Sequence, residues 1–360
     1  MNTISLCMIV RDEEQTLERC LCSAAPIADE IVLVDTGSVD RTVEIAKHYT
    51  DRIHFFDWID DFAAARNFSF AQATGRFCLW LDADDVLPEA SVRELRRLKR
   101  EMPSDTDVVM MPYHVAFDEE GRPALTCFRE RMVRRAAGLR WTGAVHEVIA
   151  PQGKILYSTA VVEHRKQKPA EPGRNLRIFE KLLQSGRKLD ARQRFYYARE
   201  LLGAGETARA AALFEELIDS GEGWTPNRVE ACMQLSACCR ALGRRSEALS
   251  ALLRALELGA PRAELCCQLG DWFLADNRPE TAAFWYRTAL TRPADDAEGG
   301  FVCPDCRGYI PLMQLCVCCD RMGDRRQAAR YNELAGRLRP NSQAYLHNVR
   351  VFQGEDQPGT

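Results

Sequence analysis

The sequence of 360 residues lacks a long apolar run and lacks a surplus of basic charge. No window approaches the eighteen or so continuous apolar residues of a membrane span. The formal net charge of −4 argues against a nucleic-acid partner, which requires a basic surface. A secretory leader needs a basic start and a longer apolar stretch, and here Arg11–Glu14 interrupts the uncharged beginning at once. We therefore expect a cytoplasmic protein without a membrane span.

Cysteine is abundant, with fifteen residues. In a long chain without a leader, such residues argue for free thiols rather than a disulfide framework. Cys303 and Cys306, and then Cys316 and Cys319, form two Cys-x-x-Cys units with the spacing of a structural zinc site. However, Cys316 and Cys319 occupy inward positions of a helical repeat, where cysteine packs as a small apolar residue. Zinc therefore stays open as an alternative to packing.

The first 165 residues alternate short apolar runs with helical patterns. Buried strands are predicted at 4–10, 31–34, 53–56, 77–81 and 108–112. Helices are predicted at 13–23, 42–49, 62–73 and 88–100. This alternation predicts a doubly wound, mostly parallel α/β sheet of the Rossmann-like kind. Further strands, at 128–133, 140–148 and 155–162, are expected at an edge of that sheet.

Beyond about residue 175 the strand pattern gives way to a repeat of thirty-four residues. Small and apolar residues of segment 229–262 recur at the same offsets in the next thirty-four residues, and looser copies begin near Ala191 and Tyr309. These spacings resemble the tetratricopeptide repeat, a helix–turn–helix unit. Stacked units of this kind give an all-α array with a concave surface for extended partners.

The two patterns divide the chain into four parts. An α/β domain is predicted over 1–168 and a connecting segment over 169–190. About four helical hairpins are predicted over 191–350, followed by a disordered tail over 351–360.

The apolar run 77–81 stops abruptly at an acidic cluster. Asp82 and Asp84 are two residues apart, so in extended backbone their carboxylates share a face and can converge on one cation. Oxygen ligands suit Mg²⁺ or Mn²⁺, which proteins commonly share with substrate phosphates. The alternative is a solvated acidic turn, with Asp85 capping the helix that starts near Pro88.

Four motifs follow one another in order, at 10–14, 35–42, 65–67 and 82–84. Together they resemble family-2 glycosyltransferases of the GT-A fold over roughly residues 3 to 165. They are most similar to the subgroup with tetratricopeptide repeats after the catalytic domain, whose members glycosylate a bacteriocin at sulfur or glycosylate flagellin. The resemblance implies a nucleotide-sugar donor, UDP-hexose or UDP-N-acetylhexosamine, bound by the α/β domain.

The resemblance assigns five residues to the donor: Asp12, Glu13, Asp35, Arg66 and Asp82. Asp35 can accept hydrogen bonds from a uracil ring or a ribose, or it can be a turn residue. Asp12 and Glu13 can hold the nucleoside or cap the first helix, and Asp40 can cap the next one. Arg66 can pair with the diphosphate, or it can be a charge on a helix surface.

The resemblance also implies a metal site. Asp84 is expected to ligate Mn²⁺ or Mg²⁺, and Asp82 to contact the ribose or the metal. His146 or His164 could complete the coordination shell, although each could instead be a hydrogen-bonded structural residue. Such a cation would neutralise the charge that develops on the departing nucleoside diphosphate.

A second cluster, Trp141–Glu147, resembles the Trp-x-Gly-x-x-His-Glu segment of these enzymes. Glu147 is the candidate general base that takes the acceptor's proton, and family relatives suggest inversion at the anomeric carbon. Trp141 could stack on the sugar or the acceptor, or it could be buried in the core. Arg131 and Arg134 could meet phosphate or lie on a solvated strand face.

These features predict a metal-dependent transferase that moves a sugar onto a peptide or protein bound in the repeat groove. A loop at 118–121 is either a mobile lid over the acceptor or a plain hairpin turn. One alternative acceptor is a surface polysaccharide or lipid-linked glycan, with the repeats serving oligomerisation, for instance as a homodimer. The other alternative is an adaptor with a degenerate transferase domain, against which the convergence of Asp35, Asp82, Asp84 and Glu147 argues.

Overall fold

A computed structural model describes residues 2–167, 171–293 and 299–354. The chain forms two compact units, Met1–Leu189 and Asp190–Thr360. The division falls one residue before the end of the segment 169–190, which the sequence assigned to the connection.

A mixed sheet of nine strands organises the amino-terminal unit, in the order β3-β2-β1-β4-β7-β6-β11-β5 with β10 beside β6. Strands β8 and β9 pair separately. The strand bounds are β1 Ile4–Val10, β2 Glu30–Asp35, β3 Ile53–Phe55, β4 Phe77–Trp80, β5 Asp85–Val86, β6 Val108–Phe117, β7 Pro123–Arg134, β8 Trp141–Thr142, β9 Val148–Ile149, β10 Ile155–Tyr157 and β11 Val162–His164. The helices of this unit are α1 Leu17–Ala24, α2 Thr42–Ala46, α3 Phe62–Gln72, α4 Glu89–Glu101 and α5 Arg174–Gln184.

The centre of the sheet confirms the predicted α/β fold. Strand β1 pairs in parallel with both β2 and β4, and β2 pairs in parallel with β3. These strands are apolar almost without interruption because helices cover both faces of a parallel sheet. As a result, the carboxyl ends of β1, β2 and β4 meet at one edge, where ligands bind in open α/β sheets.

The later strands differ from the prediction in two respects. Strand β7 is not at an edge, because it lies antiparallel between β4 and β6. The stretch 140–148 is not one strand, because Gly143 and His146 adopt positive φ angles and turn the chain between β8 and β9. The loop 118–121 is the turn of the β6–β7 hairpin, closed by the Asp118 N–H donating to the Arg122 carbonyl.

Helical hairpins build the carboxy-terminal unit and confirm the predicted repeat fold. Over the described residues they pair α6 with α7, α8 with α9, α10 with α11 and α12 with α13. The bounds are α6 Ala191–Gly203, α7 Thr207–Ser220, α8 Thr225–Ala241, α9 Arg245–Arg254, α10 Ala263–Ala275, α11 Pro279–Leu290, α12 Tyr309–Arg321, α13 Arg325–Leu338 and α14 Gln343–Gln353. Helix α14 continues through Gln353, so the start of the segment 351–360 is helical rather than disordered, and 355–360 lie outside the described residues.

The two Cys-x-x-Cys units pack in separate apolar clusters. Cys303 and Cys306 lie with residues of α10 and α11, whereas Cys316 and Cys319 pack against Ala328. Within the described part of the chain, the residues grouped closely enough to hold a cation include no cysteine. This arrangement favours the packing interpretation over one four-thiol zinc site.

None of the described helices is both long enough and apolar enough to cross a membrane.

Candidate active site

The acidic cluster after β4 is bent back into the sheet by its own backbone. The Asp85 N–H donates to the Asp82 carbonyl at 3.0 Å, which closes a tight turn immediately after the strand. Asp85 then opens β5, which pairs antiparallel with β11 so that Asp85 stands opposite His164. The turn therefore leaves Asp82 and Asp84 at the end of β4, whereas Asp85 is the first residue of β5.

Asp84, Asp85 and His164 form the cation-sized cluster of the described residues, with one ligand atom of each within 4.8 Å of the others. The His164 Nδ1 lies 3.3 Å from the Asp84 Oδ1 and 3.5 Å from the Asp85 Oδ1. Neither His164 Nδ1 nor Asp85 Oδ1 has a hydrogen-bond partner, although both atoms are buried. Oxygen and imidazole ligands left without partners fit a divalent cation such as Mn²⁺.

The two carboxylates change the proton affinity of that imidazole. Burial lowers the pKa of His164, but the adjacent Asp84 and Asp85 outweigh it and raise the pKa to about 10. The cluster differs from the predicted ligand set by containing Asp85 in place of Asp82.

Arg131 fixes Asp85 from below. Both side chains have 0% exposure, and the Arg131 Nη1 donates to the Asp85 Oδ2 at 2.7 Å. The guanidinium lies between the rings of Trp80 and Tyr113, 3.8 and 4.2 Å from their centroids. The prediction that Arg131 meets phosphate or lies on a solvated face is therefore wrong, because its strand is interior and its charge is neutralised by Asp85.

Arg66 joins the acidic turn to the second motif. Its Nη2 donates to the Asp82 Oδ1 at 2.7 Å and its Nε donates to the Glu147 Oε1 at 2.6 Å. The guanidinium is buried between Trp80 and Trp141, about 5 Å from each ring centroid. Desolvation raises the pKa of Asp82, but the charges of Arg66, Arg131 and His164, together with the Arg66 hydrogen bond, outweigh it and lower the pKa to about 2. Arg66 is thus not a helix-surface charge.

Asn67, which the sequence analysis placed in the motif 65–67 without a role of its own, holds the second motif in place. Its Nδ2 donates to the Trp141 carbonyl, and its Oδ1 accepts from the Trp141 N–H, both at 3.0 Å. With Arg66 bound to Glu147, the neighbours Arg66 and Asn67 hold both ends of the segment 141–147. The adjacency of the two polar residues in one helix was the signal that could have indicated this joint role.

Two predicted site residues lie elsewhere. The His146 ring stacks on Phe179 with the centroids 6.3 Å apart, and His146 does not belong to the cation-sized cluster. Its positive φ turns it away from an extended path. Arg134 pairs with Asp107 and stands opposite Phe77, at the start of β4, whereas the acidic turn follows the end of that strand. Arg134 is therefore not brought to the site.

The donor-side loops are tied to one another. The Asp35 carboxylate accepts from the backbone N–H groups of Gly37 and Ser38, both at 3.0 Å to its Oδ2. The Asp12 N–H donates to the Ser38 hydroxyl, and the Asp12 Oδ1 accepts from the Val39 N–H at 2.7 Å. Asp35 therefore makes the turn contacts that the sequence allowed, at the carboxyl end of β2.

Glu13 and Asp40 complete this edge. The Glu13 N–H donates to the Thr42 hydroxyl at 2.7 Å, and Asp40 accepts from the Thr42 N–H at 2.9 Å. Helix α1 begins only at Leu17, so Glu13 belongs to the loop rather than to the helix. The donor roles of Asp12, Glu13 and Asp35 stay predictions.

Trp141 takes the second of the two roles that the sequence left open. Its side chain is buried, and its ring meets that of Trp80 edge to face at a centroid distance of 4.9 Å. It supports Arg66 from below and does not present an open stacking surface for a sugar.

A comparison with known protein families identifies the domain that contains this site. Residues 5–162 match the model of "Glycosyl transferase family 2". They form a family-2 glycosyltransferase domain. The matched span contains the acidic turn and the Trp141–Glu147 motif, and it stops two residues before His164.

Three relatives illustrate the similarity. The chain is 50% identical over 96 residues to TPR repeat-containing protein Synpcc7942_0270 of Synechococcus elongatus, covering 27% of this chain and 24% of that protein. It is 27% identical over 212 residues to the SPbeta prophage-derived glycosyltransferase SunS of Bacillus subtilis, covering 55% and 49%. It is 29% identical over 164 residues to the lipopolysaccharide core biosynthesis glycosyltransferase LpsC of Rhizobium meliloti, covering 42% and 58%. The chain thus spans less than two thirds of each relative.

Proposed function

We propose that this chain is a cytoplasmic, metal-dependent glycosyltransferase that moves a sugar from a UDP-linked donor onto a peptide or protein. The observation that carries the proposal is the pair of unsatisfied buried atoms, Asp85 Oδ1 and His164 Nδ1, facing Asp84 at the carboxyl edge of the sheet. The imidazole nitrogen there lies 3.3 and 3.5 Å from two carboxylate oxygens, which is a set of ligand atoms that divalent cations bind and that a purely structural turn does not require.

Asp84, Asp85 and His164 would hold Mn²⁺ or Mg²⁺ at this position. When bound, the cation supplies a Lewis acid that neutralises charge on the donor diphosphate. Arg131 keeps Asp85 in place through its second carboxylate oxygen, so Asp85 Oδ1 stays directed at His164. Asp82, held by Arg66, is then available to the ribose rather than to the cation.

Glu147 is the proposed general base. Its side chain is 11% exposed, and only Oε1 is engaged by Arg66 in the ion pair described above. In a direct displacement, the acceptor's proton passes to Glu147 while the acceptor bonds to the anomeric carbon and the bond to the diphosphate breaks. Attack from the face opposite the leaving group inverts that carbon. Arg66 orients the Glu147 carboxylate and holds it at a fixed position relative to Asp82.

The helical hairpins support a polypeptide acceptor, because stacked repeats commonly bind extended chains. The similarity to SunS, a glycosyltransferase, supports sugar transfer. The similarity to LpsC favours a second candidate, transfer onto a lipopolysaccharide or another lipid-linked glycan. In that case the hairpins would serve assembly, for instance a homodimer, rather than acceptor binding.

A donor screen tests the first part of the proposal. The full-length protein is incubated with UDP-hexoses and UDP-N-acetylhexosamines, with and without Mn²⁺, and released UDP is quantified. We expect release only with the metal, and a loss of at least about 100-fold for Asp84→Ala, since metal catalysis contributes several kcal/mol. Asp105→Ala, at an exposed carboxylate paired with Lys154, is the matched control and should keep the wild-type rate.

Turnover of Asp84→Ala at the wild-type rate would disprove the metal site. A wild-type protein that releases no UDP under any condition would favour the adaptor alternative. For the acceptor, intact-mass spectrometry of coexpressed candidate peptides is compared with chromatography of lipid-linked glycans. A sugar mass added to peptide supports the polypeptide acceptor, and a shift confined to the lipid fraction supports the second candidate.

A further inference from the structure

The connection between the third and fourth hairpins reaches back across the repeat array. Its segment 299–303, Gly-Gly-Phe-Val-Cys, contacts residues at or in α6, α8 and α10, the first helices of three preceding hairpins. We call these contact residues the receiving face: Arg199, Trp224, Pro226, Arg262 and Glu264. An insertion that merely joined α11 to α12 would not need to span three hairpins.

The receiving face binds mainly the backbone of this segment. The Arg262 Nη1 donates to the Gly299 carbonyl at 2.7 Å, and its Nη2 donates to the Phe301 carbonyl at 3.0 Å. The Glu264 Oε1 accepts from the Cys303 N–H at 2.8 Å. A guanidinium fork and a carboxylate that bind backbone carbonyl and N–H groups do not depend on the side chains of the bound segment.

Two glycines are required by the space available. A Cβ on Gly299 would lie 2.3 Å from the Trp224 ring, and a Cβ on Gly300 would lie 2.8 Å from the Arg262 guanidinium. Both glycines also have positive φ angles, +77° and +84°, which other residues rarely adopt. The face therefore selects a glycine pair by shape as well as by backbone conformation.

The next two positions select side chains. The Arg199 guanidinium stands over the Phe301 ring at 5.0 Å from its centroid, a cation–π contact. Val302 is buried at 2% exposure. Trp224 stays half exposed beside Gly299, so the indole offers further apolar surface to a longer peptide.

We infer that the receiving face is a peptide-binding site for segments of the pattern glycine, glycine, aromatic, aliphatic, and that residues 299–303 occupy it in cis. A partner polypeptide with this pattern would compete with the internal segment for Arg262, Glu264 and Arg199. This inference goes beyond the proposed transfer reaction, because the binding requires neither a sugar donor nor a metal.

Competition is tested first on the unaltered protein by hydrogen exchange. The full chain is exposed to excess acetyl-Gly-Gly-Phe-Val-Ser-amide, in which serine replaces the cysteine to prevent disulfide exchange. We expect amide exchange over residues 299–306 to rise by about tenfold as the free peptide displaces the segment. The matched peptide Ala-Ala-Phe-Val-Ser should leave exchange unchanged, because its Cβ atoms meet Trp224 and Arg262.

Direct binding is then measured by fluorescence anisotropy. The double variant Phe301→Ser with Val302→Ser weakens the internal segment and should bind the labelled glycine peptide at least about tenfold more tightly than the wild type. Adding Arg262→Ala should remove at least about tenfold of that affinity, since two charge-assisted hydrogen bonds are lost. Phe284→Ala, at an exposed aromatic of α11, serves as the control for a surface change.

The inference is overturned by either of two results. One is unchanged exchange over 299–306 in the wild type under saturating glycine peptide. The other is equal binding of the glycine and alanine peptides by the double variant. The exchange experiment uses the native protein, so it tests the inference even if the double variant fails to fold.

Discussion

Among the described residues, the amino-terminal unit buries five charged side chains, Asp35, Arg66, Asp85, Glu130 and Arg131, whereas the carboxy-terminal unit buries none. Its buried polar residues are neutral: Asn227, Ser236 and Asn332. The helical unit instead fills its core with alanine, leucine and thiols, and burial raises the pKa of thiols such as those of Cys266 and Cys316 to about 11. These thiols therefore stay protonated and act as apolar groups.

The comparison shows which unit retains interactions that stability alone does not explain. A buried ion pair can often be replaced by apolar residues at no cost in stability, so its retention indicates another requirement. In the amino-terminal unit, Arg66 and Arg131 each bind carboxylates of the acidic turn or of the 141–147 motif. We take the requirement to be the chemistry of that edge, and this view can be tested residue by residue.

The largest effect is expected at Glu147. Glu147→Gln keeps an oxygen that can accept from Arg66 but removes the ability to take a proton. We expect UDP release or sugar transfer to fall by at least about 100-fold, the usual contribution of a general base, with thermal stability nearly unchanged. Steady-state rates and melting temperatures measured on the same preparation check both halves of this expectation.

Glu101→Gln provides the matched control, since Glu101 is a half-exposed helix carboxylate paired with Arg97. It should change neither rate nor melting temperature. A Glu147→Gln protein that melts many degrees lower would mean that Glu147 serves the fold. In that case, the buried charge of Glu147 would not be evidence that the amino-terminal unit retains buried charges for catalysis.

Arg131→Met tests the buried pair itself. The substitution leaves Asp85 buried and unpaired, so we expect the free energy of unfolding to fall by about 3–5 kcal/mol. Adding Asp85→Leu should restore much of that stability, because both charges are then gone, but it should not restore activity. Urea unfolding midpoints combined with UDP release from the same variants distinguish the two effects.

Arg330→Met, at an exposed arginine of α13, is the control and should alter stability by no more than about 0.5 kcal/mol. If the double variant at Arg131 and Asp85 regained full activity as well as stability, Asp85 would not belong to the metal site. The cluster would then reduce to Asp84 and His164.

Most of the fold followed from local patterns in the sequence. Apolar runs indicated β1, β2, β4 and β6, and the recurrence of small residues every thirty-four positions indicated the hairpins. The exceptions arose where pairing between distant strands decides the outcome. The sequence around Arg131 is compatible with a solvated strand face, because it does not show that β7 lies between β4 and β6. Segment 140–148 reads as extended until the backbone of Gly143 and His146 is seen.

The site was predictable in part for the same reason. Sequence spacing brought out Asp84 and the resemblance brought out Glu147, but the approach of Asp85 to His164 depends on the short β5–β11 pairing. Two-residue strands such as β5 leave too weak a pattern to detect. The contacts of Arg66 with Asp82 and Glu147 could not be predicted from its sequence neighbours, and its role toward a diphosphate stays a prediction.

The smallest expected effect tests the helical side of the comparison, at Gly270. A Cβ there would lie 2.6 Å from the Tyr286 ring, whose hydroxyl donates to Asp271 at 2.6 Å and so cannot shift freely. We expect Gly270→Ala to destabilise the unit by about 1–3 kcal/mol, the cost of overpacking, despite the better helix propensity of alanine. Gly203 lies at a helix end, and a Cβ added there would have no neighbouring atom within 4 Å. We therefore expect Gly203→Ala to raise the free energy of unfolding by about 0.5–1 kcal/mol. Thermal melts of the two variants should therefore move in opposite directions. If both rose, close helix contact would not be what the small residues of this repeat provide.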